Sequence, residues 1–224
     1  MREDPRIARP ATRDDREVAV LSIVRAFATD PLVRWFFPDD GTYVQRASTF
    51  FGLLFDGRVD DGNVHVAGDG AAVSMWDPPG GGSITQAELD RRWDTEFEPG
   101  AGPGERERLE AYEAAADAMM PPDASWYLGV LATDPDFQRQ GLASAVIAPV
   151  LERADREGLG AFLETGAEEN LAFYARAGFE VTDEVVLPDG PTLWGLQRSP
   201  WISDRLGPKE QGMSAEGIGR IEEP

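Results

Sequence analysis

Residues 126–143 read Trp-Tyr-Leu-Gly-Val-Leu-Ala-Thr-Asp-Pro-Asp-Phe-Gln-Arg-Gln-Gly-Leu-Ala, and this stretch decides the fold. Its first part is apolar and strand-like through Thr133, and an Asp-Pro turn follows at Asp134 and Pro135. A short loop then leads into a helical pattern. Backbone amides at the start of a helix are unsatisfied donors that attract phosphate. The stretch therefore predicts a strand, a phosphate-binding loop and a helix in direct succession.

On both sides of this stretch, apolar residues at helical spacing alternate with short strand-like runs bounded by Gly and Pro. Two early helices are expected, one opened by Thr12 and Asp15 and one carrying Val44, Ala47, Phe51 and Leu54 on a single face. The other predicted helices are residues 84–97, 105–119, 141–156 and 168–177, and the predicted strands are residues 7–9, 63–67, 71–76, 126–133, 161–165, 179–186 and 192–197.

Residues 1–198 are predicted to form one domain, and the tail 199–224, with few apolar residues, is expected to be mobile at its end. A helical insertion at about 80–122 lies between two strands and is a candidate lid; its charges at 105–108 are expected to face solvent. The aromatic run 32–38 is either core packing or one wall of a substrate pocket. His65 is expected at the surface or partly packed.

The composition narrows the function classes. With 41 Asp plus Glu against 21 Lys plus Arg, the net charge is -20, which argues against binding to nucleic acid or an anionic membrane and favours a cationic small molecule. The absence of Cys excludes disulfides and a thiol nucleophile, and a single His argues against a His-based zinc site, so no metal is predicted. Without an apolar signal region or membrane span, the protein is predicted to be cytoplasmic.

Two motifs carry a family resemblance that extends over residues 7–197. Residues 138–143, Gln-Arg-Gln-Gly-Leu-Ala, match the phosphate loop of the GCN5-related N-acetyltransferase (GNAT) superfamily. The segments Phe-Leu-Glu-Thr at 162–165, Asn-Leu-Ala-Phe-Tyr at 170–174 and Gly-Phe at 178–179 resemble the branch of this family that includes puromycin N-acetyltransferase. Asp30 stands where that branch has an aromatic residue, and the insertion differs, so puromycin itself is doubtful as the acceptor.

The resemblance implies an α/β (α+β) fold with a mixed, strongly twisted and splayed sheet of about six to seven strands flanked by helices. It also implies acetyl transfer from acetyl-CoA to a primary amine of a small molecule, an antibiotic or aminonucleoside among the candidates. Because no Cys is available to carry the acetyl group, direct attack in a ternary complex is expected. A protein or peptide N-terminal acetyltransferase and a non-catalytic acyl-CoA-binding module remain as alternatives, and the oligomeric state is left open.

The resemblance assigns donor binding to the end of the strand and to the loop. Amides of residues 139–143 are expected to bind the pyrophosphate, with Gly141 leaving room for close approach. An amide near Leu131 is expected to stabilise the developing oxyanion. The alternative is an ordinary polar loop that caps a helix. The predicted acetyl-CoA contacts are Leu131, Ala132, Thr133, Gln138, Arg139, Gln140, Gly141, Leu142, Ala143, Asn170 and Tyr174.

Two residues are assigned catalytic roles. Tyr174 matches the family's general acid, and a phenol with an ordinary pKa of about 10 keeps its proton at neutral pH. The alternative is an aromatic ring packed beside Leu171. Glu164 is expected to receive the proton of the amine, directly or through water, or else to form a structural hydrogen bond or ion pair.

The acceptor is expected to contact Asp30, Trp35, Trp76 and Glu164. The carboxylates would attract an ammonium group, and the indole faces would bind it through cation–π contacts. The alternative for Asp30 and the two tryptophans is an ordinary place in the core or at the surface.

Overall fold

A computed structural model describes the backbone of residues 4–82 and 86–201, with the side chains at 86, 89 and 90 left aside. The first two residues of the predicted helix 84–97 and most of the predicted tail 199–224 lie outside the described residues. Within the described ranges, none of the helices has the length and apolarity needed to cross a membrane.

One sheet of seven strands forms the centre of the fold, as the resemblance implied. Its order is β1-β2-β3-β4-β5-β7-β6, and every neighbouring pair is antiparallel except β4 and β5. The strands are β1 (Arg9–Pro10), β2 (Val64–Ala67), β3 (Ala72–Asp77), β4 (Ser125–Thr133), β5 (Gly160–Thr165), β6 (Glu180–Val186) and β7 (Thr192–Arg198).

Helices cover both faces of the sheet. Their bounds agree broadly with the predicted helices, except that a helix at Pro31–Phe36 lies in the aromatic run 32–38, for which none was predicted. The predicted helix 84–97 changes character within its length, because α4 continues into a π-helical turn, Trp93–Phe97. The helices are α1 (Arg16–Ala26), α2 (Pro31–Phe36), α3 (Tyr43–Asp56), α4 (Gln86–Arg92), α5 (Glu105–Met119), α6 (Leu142–Glu157) and α7 (Leu171–Arg176).

The alternation of side chains along β3 divides the core between the two faces. Val73 and Met75 belong to the large cluster that includes buried residues of α1, α2 and α3. Trp76 belongs to a second cluster with residues of α6 and α7. Ser74, on the same side as Trp76, donates a hydrogen bond to the Val146 carbonyl of α6 at 2.7 Å. Each face of the sheet therefore has its own helical cover.

The only parallel pair of strands in the described sheet separates soon after it begins. Ser125–Tyr127 of β4 pair with 160–162 of β5, whereas the later residues of the two strands pair with different neighbours. On the other side of β4, Met75 pairs with Val130 and Trp76 with Leu128, which leaves Gly129 as an extra residue in a bulge. Splaying and bulging open the sheet at its centre.

The insertion folds back onto the body of the protein through a buried ion pair. Arg46 of α3 donates from Nε to Glu105 Oε2 at 2.9 Å and from Nη1 to the Phe97 carbonyl at 2.7 Å. Arg108 donates to the Phe36 carbonyl. The prediction that residues 105–108 form a solvated charged face was therefore wrong at Glu105, which is buried because Arg46 lies against it.

His65 is also more enclosed than predicted. It lies in the middle of β2, between Pro10 of β1 and Ser74 of β3, and its side chain is buried. Burial lowers the pKa of the imidazole, which favours the neutral form.

Candidate active site

An open cleft of about 670 Å³, here called the outer cleft, lies between the splayed strands and the start of α6. Its walls come from the end of α1, the end of β4, the loop before α6 and the helix α7. The lining residues are Ala26, Phe27, Thr29, Asp30, Leu131, Ala132, Thr133, Gln138, Arg139, Gly141, Leu142, Ala143, Ser144, Ala167, Glu169, Asn170, Phe173, Tyr174 and Arg176.

The loop between β4 and α6 adopts a shape suited to an anion. Asp134 accepts a hydrogen bond from the Asp136 amide and begins a single 3₁₀ turn, and Arg25 of α1 holds Asp134 at 2.7 Å. Arg139 and Gly141 both have positive φ, 62° and 84°. No side chain of the described residues caps the start of α6. The first amides of a 16-residue helix are thus free to bind a phosphate group.

Nearly all the residues predicted to contact acetyl-CoA lie together in the outer cleft. Gln140 is the exception: it is exposed and does not line the cleft. Arg139 and Arg176 provide positive charge there. The cleft, the uncapped helix and the two arginines fit a ligand that carries phosphates at one end and a long arm.

A smaller cavity of about 210 Å³, here called the inner cavity, adjoins the outer cleft. The two share Phe27, Asp30, Leu131, Asn170 and Tyr174. The inner cavity is lined by Phe27, Asp30, Leu32, Val33, Phe36, Phe50, Phe51, Leu54, Arg58, Trp93, Tyr112, Glu113, Tyr127, Leu128, Gly129, Val130, Leu131, Glu164, Thr165, Gly166, Asn170 and Tyr174.

Glu164 is held by two tyrosines that come from distant parts of the chain. The hydroxyls of Tyr112, on α5, and Tyr127, on β4, both donate to Oε1 of Glu164. The two hydroxyl oxygens lie 3.4 Å apart. Oε2 of Glu164 is buried and has no hydrogen-bond partner among the described residues. One oxygen of the carboxyl group is therefore fixed by two donors, and the other is buried without a donor among the described residues.

The surroundings of Glu164 change its ionisation. Burial raises the pKa of this carboxyl, although the hydrogen bonds from Tyr112 and Tyr127 act in the opposite direction. Burial, followed by the charge of Glu164, raises the pKa of both tyrosines well above its ordinary value. The phenols therefore keep their protons and remain donors, and burial makes the Glu164 carboxylate a stronger base than an exposed one.

Tyr174 lies where the two cavities meet, since it lines both. Its ring packs against Phe173 and Phe179, with centroids 5.4 Å and 6.0 Å away. Burial, together with the charges of Glu164 and Asp30, raises the pKa of its hydroxyl above the ordinary value. Packing fixes the ring, and the hydroxyl retains a proton that it can donate.

Asp30 lines both cavities but also has a structural task. Its Oδ1 accepts hydrogen bonds from the amides of Leu32 and Val33 at 3.0 Å and so caps α2. Burial raises the pKa of this carboxyl. A cap residue at this position explains why the chain carries an acid here, independently of any ligand.

Neither of the two tryptophans predicted to contact the acceptor lines the outer cleft or the inner cavity. Trp76 is fully buried in the cluster beneath α6, because the alternation of β3 directs it to the opposite face of the sheet from the inner cavity. Trp35 is half-buried and packs on the turn before β7, where a Cβ atom at Gly190 would lie 2.7 Å from its indole ring. The prediction that Trp76 contacts the acceptor is therefore wrong, because its ring is enclosed in the core. Trp35 lines neither cavity, and its contact with the acceptor stays a prediction.

Comparisons with known proteins agree with this geometry. Residues 110–179, which span Tyr112, the loop, Glu164 and Tyr174, match the model of the Acetyltransferase (GNAT) family. An uncharacterized N-acetyltransferase, C550.08 of Schizosaccharomyces pombe, is 24% identical over 186 residues, covering 77% of this chain and 74% of that protein.

Solved structures share the fold. A Corynebacterium glutamicum structure described as histone acetyltransferase HPA2 and related acetyltransferase has a TM-score of 0.65 at 22% identity, covering 88% of this chain and 98% of the other. Arylalkylamine N-acetyltransferase 2 of Aedes aegypti has a TM-score of 0.57 at 14% identity, covering 86% and 97%. These comparisons do not confirm the resemblance to the branch that includes puromycin N-acetyltransferase, and that resemblance stays a prediction.

Proposed function

We propose that the chain is an acetyltransferase of the GNAT family and that it transfers an acetyl group from acetyl-CoA to the primary amine of a small molecule. The observation that carries the proposal is the meeting of two cavities at Tyr174. One cavity ends at an uncapped helix start, and the other contains a carboxyl group with a free, buried oxygen. The first suits a phosphorylated donor, and the second suits an amine.

Acetyl-CoA supplies the activated acetyl group as a thioester. The chain would hold its phosphates with the amides that begin α6 and with Arg139, and its arm along the unpaired side of β4. The backbone near Leu131 lies at the junction of the cavities, where an amide donor would stabilise charge on the carbonyl oxygen.

Two side chains would move the protons. Glu164 would take a proton from the ammonium at Oε2, directly or through water, because Oε1 is already occupied by the two tyrosines. As the C–S bond breaks, Tyr174 would donate its proton to the departing thiolate and recover one, directly or through water, from the newly acylated nitrogen. Direct attack by the amine follows from the composition, because the chain has no Cys to form an acetyl intermediate.

The direct test is turnover of an amine panel with the purified protein, followed by thiol release and by mass spectrometry of the products. Acetylation of free amines is the expected result. Acetylation of peptides alone would instead indicate a terminal acetyltransferase, and tight binding of acetyl-CoA without turnover of any amine would indicate a binding module.

Replacing Tyr174 with Phe should lower kcat by about 10²-fold, at the lower end of what general acid–base catalysis contributes. The ring contacts with Phe173 and Phe179 remain, so the dissociation constant of acetyl-CoA should change little. Steady-state kinetics and calorimetric titration measure the two quantities separately. Unchanged turnover in this variant would rule out the general-acid role.

Removing either hydroxyl that binds Glu164 should shift the pH profile of kcat/KM. Tyr112→Phe or Tyr127→Phe removes a donor that favours the charged carboxylate, so the pKa of Glu164 rises further and the acid limb of the profile moves to higher pH. The rate on the high-pH plateau should change much less.

Tyr43→Phe is the matched control for these two variants. Its hydroxyl is also buried and donates to a carbonyl, that of Val24 at 2.9 Å, but it does not line either cavity. This variant should leave the acid limb in place. If all three variants give the wild-type profile, Tyr112 and Tyr127 do not tune Glu164.

A further inference from the structure

We propose that the acceptor is a compact primary amine carrying a single aromatic ring on a short chain, with its ammonium at Glu164 Oε2 and its ring against the insertion. This inference rests on the proposed function and specifies the substrate class of the same site. Three properties of the inner cavity support the inference: its aromatic walls, its acidic residues and its volume.

The walls of the inner cavity are predominantly aromatic. Phe36 packs edge-on against Tyr112, with ring centroids 5.1 Å apart, and Phe50 packs edge-on against Trp93 at 5.8 Å. Phe27 stacks on Phe51 at 5.3 Å. Such surfaces favour another ring, because aromatic pairs gain from edge-to-face and offset-stacked geometry beyond burial of apolar area. A flexible polar acceptor would leave these walls without matching contacts.

The acidic lining of the cavity favours a ligand that is a cation and a hydrogen-bond donor. Glu164, Asp30 and Glu113 line it. The only basic side chain among the described residues of the lining, Arg58, is paired with Asp77 at 2.6 Å. Asp30 Oδ1 is engaged as a helix cap, whereas Glu164 Oε2 is buried without a partner in the described part of the chain. A buried acceptor atom without a donor is costly, and an ammonium N–H would supply that donor.

The size of the cavity limits what can accompany the ammonium. Its volume is about 210 Å³, whereas an apolar cavity of about 150 Å³ is enough to bind benzene. One ring and a short alkyl chain therefore fill the available space. An aminonucleoside or a peptide would extend beyond it, which agrees with the difference between this chain and the puromycin branch at Asp30 and in the insertion.

The insertion supplies the outer wall and fixes it. Trp93 lies 4.2 Å from Phe97, ring to ring, and the Arg46 guanidinium lies 3.8 Å from the Phe97 ring centroid. Arg46 is in turn bound to Glu105 at the start of α5. The ring-binding wall is therefore anchored to α3 by a buried ion pair. We infer that the insertion sets acceptor selectivity.

Three ligands of similar size separate the contributions. With the full chain, phenethylamine should bind in calorimetric titration and be acetylated. Phenethyl alcohol keeps the ring but lacks the ammonium and should bind about 100-fold more weakly. The linear diamine putrescine keeps the ammonium but lacks the ring, and its kcat/KM should be about 10- to 200-fold lower.

Two variants then change the cavity in opposite directions. Trp93→Ala enlarges it and should raise KM for phenethylamine about tenfold while improving kcat/KM for an amine with two fused rings. Leu54→Phe narrows it and should exclude the ring, so kcat/KM should fall much more for phenethylamine than for putrescine. KM for acetyl-CoA should stay unchanged in both, which shows that each variant is folded.

The outcomes distinguish this inference from the proposed function. Preferred turnover of putrescine or of a peptide, or equal binding of phenethyl alcohol and phenethylamine, would overturn the substrate class and leave acetyl transfer intact. Binding of phenethylamine that depends on Leu54 and Trp93, without acetylation, would support the cavity assignment and overturn the proposed function. If phenethylamine neither binds nor reacts, the inference is overturned.

Discussion

Replacing Glu164 with Gln is expected to lower kcat/KM for the preferred amine by about 10³-fold, within the range that a general base contributes. Glutamine has nearly the same shape, and its carbonyl oxygen can still accept the hydroxyls of Tyr112 and Tyr127. The variant loses the negative charge and the basic oxygen but keeps the position. We therefore expect kcat/KM for the amine to fall, while the dissociation constant of acetyl-CoA stays within about twofold of the wild-type value.

The pH dependence should change in the same variant. The wild-type kcat/KM is expected to rise with pH as Glu164 ionises, at a pKa above the ordinary glutamic acid value. Because this pKa is higher in the folded than in the unfolded state, it contributes to the free energy of unfolding. The contribution is complete at pH values below the ordinary glutamic acid pKa and is lost as the pH rises through the folded-state pKa. Glu164→Gln should remove both effects, which can be measured by pH-rate profiles and by melting temperature against pH.

Glu157→Gln is the matched control, because it makes the same change to another carboxylate that accepts from an aromatic donor. Glu157 lies at the end of α6, accepts from Trp126 Nε1 at 3.2 Å and lines neither cavity. It should retain wild-type kinetics. Wild-type kcat/KM in Glu164→Gln would show that Glu164 is a structural hydrogen-bond partner rather than a base.

The parts of the fold that were predictable from the sequence are those with a local cause. Residues 126–143 contain the strand, the turn and the start of α6 in one continuous segment, and Gly141 occupies the left-handed position that such a turn requires. The placement of Asn170 and Tyr174 beside that loop came from the family motif. These assignments needed no knowledge of distant contacts.

The inner cavity depends on contacts that the sequence did not reveal. Tyr112 and Glu164 are 52 positions apart, and Tyr112 lies on a helix whose charges suggested a solvated face. Tyr127 belongs to the segment that was read as an apolar strand, but the bulge at Gly129 and the early separation of β4 from β5 determine what lies beside its hydroxyl. The contact between Tyr112 and Glu164 forms only when the insertion packs against the sheet, so the local sequence pattern could not predict it.

The misplacement of Trp76 has a related physical reason. Trp76 was predicted to bind the acceptor through a cation–π contact, but side chains on a strand alternate between faces, and the neighbouring Met75 takes the face toward α1 and α3. Local pattern gave the strand correctly. Which face contains the cavity follows from the packing of the whole sheet.

Replacing Gly141 with Glu is expected to abolish measurable binding of acetyl-CoA in calorimetric titration. Gly141 has φ 84°, so any other residue is strained there by about 1–2 kcal/mol. The nearest atom to an added Cβ is Arg6 Cδ at 3.9 Å, so the fold itself has room for the side chain. The new carboxylate would instead occupy the start of α6, where it competes with phosphate for the free amides and repels it.

Gly158→Glu separates loss of binding from loss of stability. Gly158 also has a positive φ, 69°, ends the same helix, and has no atom within 4 Å of an added Cβ. The substitution introduces comparable backbone strain and the same charge at the opposite end of α6, where a negative charge opposes the helix dipole. It should lower the melting temperature at least as much as Gly141→Glu but leave acetyl-CoA affinity intact. Normal affinity in Gly141→Glu would mean that the donor phosphates bind elsewhere, because no bound phosphate could share those amides with the introduced carboxylate.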